Sequence, residues 1–174
     1  MKIAYAAAAL VAAAAFAAPA LAGDGPHINW YGNVGYTDLN ASDGDLGAVT
    51  GRVGGRGTHF GIEAEGSFGV NTVTSGGANV KLNSQYGAYA VAYAPVADGN
   101  ADLFARVGYL RTNFHASAGG LSGSSSFNGY GVGVGGQYFF GHGANGVRAD
   151  YTYEHFENVG GHANVYGISY VRKF

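Results

Sequence analysis

The charged side chains able to do chemistry recur two residues apart. Arg148 and Asp150 lie on one side of an extended chain, and Glu63 and Glu65 on one side of another. Arg52 and Arg56 share a face in a third stretch, and Arg106 stands alone in a fourth. A strand projects residues i and i+2 from the same face. Glu63 with Glu65 could form a catalytic carboxylate pair. Beside two arginines, however, the pairing reads as a salt-bridge network: Arg52, Arg56, Arg106 and Arg148 against Glu63, Glu65, Asp150 and Glu154. Four cations against four anions suit an enclosed space, where charges persist only when paired.

Other signals are weaker. His27, His59, His115, His142, His155 and His162 are scattered over turns and strand ends, none at metal-ligand spacing with carboxylates, so no metal site is expected. The run Gly131-Val132-Gly133-Val134-Gly135-Gly136 suggests a phosphate loop, but it lies inside a strand pattern with no helix after it. No catalytic residue and no cofactor site is expected. With 0 cysteines, neither a disulfide framework nor a thiolate site is possible. There is no basic patch for nucleic acid.

The elements holding these residues are strands. Alternating runs fall at about 27–38, 46–56, 59–70, 80–94, 102–113, 128–140, 147–156 and 162–174. The sharpest, 128–140, sets Tyr130, Val132, Val134, Tyr138 and Phe140 against glycines and Gln137. In 147–156, Val147, Ala149, Tyr151 and Tyr153 oppose Arg148, Asp150, Thr152 and Glu154. In 80–94, Tyr89, Val91 and Tyr93 oppose small alanines, and the upper half is ambiguous. Only a β-strand keeps a period of two with one apolar face. Each run is near the 9–11 residues with which a tilted strand crosses a bilayer, or slightly longer.

Connections alternate in character as well. Short turns are expected at Gly57-Thr58, Pro95 to Ala101 and Gly141 to Gly146. Longer loops are expected at Asn40 to Asp45, Thr72 to Asn79 and His115 to Phe127. With the first strand rising from the periplasm, Trp30, Phe60, Tyr93, Tyr138, Phe140, Tyr170 and Phe174 form one aromatic rim. Tyr36, Phe68, Tyr109, Tyr130 and Tyr153 form the other. Two girdles, short turns on one side and longer loops on the other describe an outer-membrane barrel.

Residues 1–22 read as a cleaved signal peptide: Lys2, an apolar run, then Ala20-Leu21-Ala22 before Gly23. Residues 23–174 form one domain. Charged residues are 11%, against about 25% in soluble globular proteins. Glycine (32 residues) and tyrosine with phenylalanine (13 and 10) are abundant, which disfavours helix and suits a curved sheet. A soluble barrel would be densely charged on its polar face, and this one is not. The fold class is all-β: an eight-stranded antiparallel up-and-down transmembrane barrel. Its interior is just wide enough to be filled by side chains. The glycine stripe of the sixth strand should leave room for Arg52 and Arg56, with Glu63 and Glu65 as their partners.

Several stretches resemble the outer-membrane β-barrel domain family of opacity-type and OmpA/OmpX-like small barrels, often called porin family. Thr50-Gly51-Arg52-Val53-Gly54-Gly55-Arg56 followed by Gly61-Ile62-Glu63-Ala64-Glu65-Gly66-Ser67-Phe68-Gly69 looks like its second hairpin. Leu103-Phe104-Ala105-Arg106-Val107-Gly108-Tyr109 is similar too. In the segment ending Arg172-Lys173-Phe174, the residues Tyr166, Ile168, Tyr170 and Phe174 resemble the family's assembly signal, with Arg172 departing from its usual apolar position. The resemblance implies a cell outer-membrane location and contact with outer-membrane lipids and lipopolysaccharide. It also implies the barrel-assembly machinery and periplasmic chaperones as partners of a monomer. The role implied is structural or surface interaction, with a narrow channel for small solutes as the alternative. A third reading rests on His115-Ala116-Ser117, which resembles the His-x-Ser of an outer-membrane lipid A deacylase. That chemistry needs an adjacent-strand acid to orient the histidine, and the residues here read as glycine and tyrosine. Lys81 and Arg111 should point outward near the outer rim, where lipid phosphates lie.

Overall fold

The computed structural model describes residues 28–41, 44–75, 78–118, 121–157 and 161–174. The expected signal peptide, residues 1–22, and His27 lie outside them. The elements are β1 Asn29–Ala41, β2 Gly44–Arg56, β3 Phe60–Gly69, β4 Val73–Ser75, β5 Ala78–Val96, β6 Ala101–Ala118, β7 Leu121–Phe139, β8 Asn145–Phe156 and β9 His162–Lys173. Sequential strands pair antiparallel, except β3 and β4, which do not pair with each other. Two pairings complete the wall: β1 with β9, in register from Tyr31–Lys173 to Asn40–Asn164, and β3 with β5. The strand β4 continues the third wall strand above a break at Val70–Thr72 and pairs with the top of β5. The result is a closed eight-stranded antiparallel barrel. Closure leaves no sheet edge within the wall, which a membrane requires.

Alternation decides which side faces out. Val34, Ile62, Val107, Val134, Val147 and Ile168 are exposed on the outer wall. Asn33, Thr50, Arg52, Glu63, Arg106, Arg148 and Thr152 are buried in the lumen. Trp30, Phe60, Tyr138, Phe140, Tyr170 and Phe174 lie at the short-turn end, the periplasmic end in such barrels.

Tyr93 departs from this girdle. It is buried in the lumen together with Tyr89 and Val91, and the alanines of β5 face out instead. Both faces of this strand are apolar, so the period alone assigns no direction. Two features assign it. A β-bulge between Leu82 and Ser84 leaves Asn83 unpaired and switches the inward parity from even to odd residues. The glycines of the neighbouring strands then accept the rings.

Much of the expected loop sequence is strand as well. β5, β6 and β7 run for 19, 18 and 19 residues, far beyond the span of a bilayer. The described residues between His115 and Phe127 extend the hairpin, paired as His115–Ser124 and Ala118–Leu121. Phe114 explains why: its ring packs on Phe127 and Phe156 at 6.0 and 6.3 Å, which carries the sheet above the barrel mouth.

Candidate functional site: the ion-paired lumen

The lumen is built in three layers. Tyr31, Tyr89, Val91, Tyr93, Phe104, Phe139 and Val171 form an apolar floor at the short-turn end. Leu39, Leu46, Leu82 and Val165 close one side of the opposite mouth, and Leu110, Phe156 and Ala163 the other. The ionic layer lies between these plugs, shielded from water on both sides.

Glu63 is its hub. The Arg148 guanidinium donates to it at 2.7 and 3.3 Å, Arg106 at 3.1 Å, and the Tyr31 hydroxyl at 2.9 Å. Glu65 accepts from Arg52 Nε at 2.6 Å and from Arg106 at 2.8 Å. Asp150 accepts both terminal nitrogens of Arg52, at 3.1 and 3.2 Å. Arg106 Nε donates to Thr152 Oγ1 at 3.1 Å. These charges tolerate a dry interior because Glu63, Glu65 and Asp150 each accept from at least one guanidinium, although Arg148 Nε, 3.4 Å from Asp150 Oδ1, makes no hydrogen bond.

Two expected members sit differently. Arg56 binds neither Glu63 nor Glu65. It lies at the short-turn end and donates to Asp102 at 2.7 and 3.2 Å, beside the Gln137 amide at 2.8 Å. Asp102 was missed because it begins the alternating run 102–113, where alternation has no left flank. Glu154 is fully buried but belongs to no ion pair among the described residues; its partner is the Gln85 amide at 2.6 Å.

The glycine stripe does not cradle Arg52 and Arg56. Gly131 and Gly108 accept the Tyr89 ring, and Gly135 accepts Phe104. A Cβ at Gly108 would approach the Tyr89 ring at 2.6 Å, and one at Gly135 would meet Phe104 Cζ at 2.5 Å. Over the same rings lie guanidinium groups, Arg106 over Tyr89 at 4.1 Å and Arg148 over Phe104 at 4.0 Å. Arg56 covers Tyr93 in the same way at 4.0 Å. Each arginine thus combines fork-like hydrogen bonding with ring stacking, which lysine could not reproduce. Sequence showed the glycines and the arginines but not the aromatic rings that meet both.

His115 and Ser117 point to the outside of the β6–β7 hairpin. Residues Lys81 and Ser124 flank His115 in register, in place of glycine and tyrosine, and its Nδ1 lies 3.1 Å from Ser124 Oγ. No carboxylate among the described residues bonds it, so a hydrolytic triad has no orienting acid. Among the same residues, no group of three or more His, Asp or Glu side chains converges as a metal site. Tyr166, Ile168 and Tyr170 of β9 project from the outer wall, and Phe174, just past its end, is exposed too.

A closed barrel with an apolar belt outside and a dry ionic layer inside defines a small outer-membrane β-barrel protein. The chain belongs to the outer membrane protein beta-barrel domain family, whose profile matches residues 7–174. No curated protein sequence matches it. Among solved structures it is similar to Ail, the attachment invasion locus protein of Yersinia pestis, in complex with the heparin analogue sucrose octasulfate. The identity is 14% and the TM-score 0.64, over 85% of this chain and 99% of that one. Neisserial surface protein A shares 15% identity with a TM-score of 0.64, over 84% and 97%. The N-terminal barrel domain of Pseudomonas aeruginosa OprF shares 12% with a TM-score of 0.58, over 81% and 96%. At these identities the likeness concerns the fold.

Proposed function

We propose that this barrel is a non-enzymatic structural and surface-interaction protein of the outer membrane, active through its wall and outer hairpins. One observation carries the reading: the lumen holds side chains at every level. Arg52 and Arg148 are each 1% exposed, Glu154 is 0% exposed, and apolar residues plug both ends. A pore needs a continuous wet path, and this packing supports none. The hairpin ends of β5–β7 are then the surface offered to the exterior. Lys81 and Arg111, exposed just above the tyrosine belt, supply cations at the level of lipopolysaccharide phosphates. The outward row Tyr166, Ile168, Tyr170 and Phe174 offers the assembly machinery an apolar edge during insertion.

The test is planar-bilayer recording with the pure refolded protein. The expected outcome is an absence of stable conductance steps, alongside increased detergent sensitivity of cells lacking the protein. Regular steps that persist after repurification would favour the competing reading, a narrow channel for small solutes.

A further inference from the structure

The β8–β9 hairpin brings together two histidines whose sequence spacing says nothing. His155 and His162 are direct cross-strand partners. Both project from the outer wall, His155 in line with Val147 and Tyr153, and His162 with Tyr166 and Ile168. Ladder phase fixes how close they stand. The Phe156 N–H donates to the Gly161 carbonyl at 2.9 Å, which makes that residue pair a hydrogen-bonded one. The next pair along, His155–His162, is therefore non-hydrogen-bonded. In such pairs the Cα atoms are about 4.5 Å apart and the side chains stand closest.

Neighbouring tyrosines restrain both rings. His155 packs against Tyr130 at 5.1 Å between centroids, and His162 stacks on Tyr153 at 5.7 Å with planes 23° apart. His155 is half-buried and His162 exposed, at the outer rim where solvent reaches them.

We propose that His155 and His162 together chelate one divalent transition-metal ion of the zinc, copper or nickel class. Imidazole nitrogens bind such ions at about 2.0–2.1 Å, and two rings side by side on one face can reach a common ion. Nitrogen donors select this class over magnesium and calcium, which take oxygen ligands. Glu157 follows just beyond the end of β8, but the Tyr109 hydroxyl donates to its carboxylate at 3.2 Å. Water fills the remaining coordination positions, so the ion is exchangeable. Bound there, it clips β8 to β9 immediately below their connection.

The experiment uses tag-free, refolded, chelator-stripped protein in detergent micelles. Copper(II) titration followed by electron paramagnetic resonance should show one ion per chain, at micromolar affinity, with hyperfine coupling to two imidazole nitrogens. Zinc should compete for it. His155→Asn and His162→Asn should each weaken binding about tenfold or more, while His115→Asn and His142→Asn leave it unchanged. Heat-modifiable gel mobility confirms that each variant is folded. On the unmutated protein, zinc should protect His155 and His162 from diethylpyrocarbonate. Absence of binding, wild-type binding by either folded variant, or equal labelling with and without zinc overturns the proposal.

Discussion

Arg52 and Asp150 lie 98 residues apart in the chain and meet inside the barrel through two side-by-side N–H···O bonds, at 3.1 and 3.2 Å. Their strands, β2 and β8, are not neighbours; β1 and β9 stand between them. The pair therefore ties the wall across the lumen, where backbone hydrogen bonds cannot reach. Both side chains are buried, so neither charge can fall back on water.

Removing one partner should accordingly be worse than removing both. Asp150→Leu alone leaves the Arg52 fork half-compensated in a dry interior, at an expected loss of about 3–5 kcal/mol. The double variant Arg52→Met with Asp150→Leu should be more stable than the sum of the single losses, by about 1 kcal/mol or more. Urea unfolding in lipid vesicles, followed by tryptophan fluorescence and gel mobility, measures all corners of the cycle. Strictly additive losses would mean that the tie stores no coupling energy.

The glycine stripe makes a graded prediction. At Gly135 an added methyl would strike Phe104 Cζ and the Ala149 carbonyl, each at 2.5 Å, and the carbonyl is backbone that cannot rotate away. At Gly131 the nearest atoms belong to the Tyr89 ring, at 3.1 Å, where a small tilt makes room. Gly135→Ala should cost about 1–3 kcal/mol, and Gly131→Ala clearly less. Equal losses in vesicle unfolding would mean that the aromatic plates do not sit where these contacts place them.

Period-two patterning revealed the wall wherever the two faces of a strand differ chemically, as in Val147–Ala149 against Arg148–Asp150. It failed at Tyr89, Val91 and Tyr93, because alanines made the opposite face apolar too and the bulge at Asn83 broke the parity. The arginines were legible as a set, yet partner choice was not. Arg56 reaches Asp102 through barrel stagger, which no single strand displays. Ser/Gly composition between His115 and Phe127 reads as a loop, because the phenylalanines that hold it flat come partly from β8. His155 and His162 illustrate the same limit: a hairpin turns a seven-residue separation into direct cross-strand pairing.

Depth in the bilayer should govern the cost of placing charge on the outer wall. On β7, Tyr130 and Tyr138 mark the two girdles, and Val134, exposed and midway, marks the hydrocarbon centre. Val134→Arg should cost about 2–4 kcal/mol, while Tyr138→Arg should add only about 0–1 kcal/mol of electrostatic cost. Reversible unfolding in vesicles separates them. A Val134 variant as stable as the wild type would place this face away from lipid.

The β5–β6 turn contains a local strain that can be relieved. Ala97 and Asp98 adopt φ of 52° and 51°, in the left-handed region, and the Asn100 N–H closes the turn on the Ala97 carbonyl at 3.0 Å. This twist suits a hairpin between right-twisted strands, but an L-residue there loses about 1 kcal/mol. Asparagine accepts the conformation because its short amide hydrogen-bonds locally. Ala97→Asn should therefore stabilise the barrel by a few tenths to about 1 kcal/mol. A β-branched residue should do the reverse, with Ala97→Val losing about 1 kcal/mol or more. Both substitutions lie outside the lumen and the lipid belt, so neither alters the ion pairs or the apolar wall. Unfolding midpoints that move in opposite directions would confirm a backbone origin; a shared direction would point to a side-chain contact of Ala97 instead.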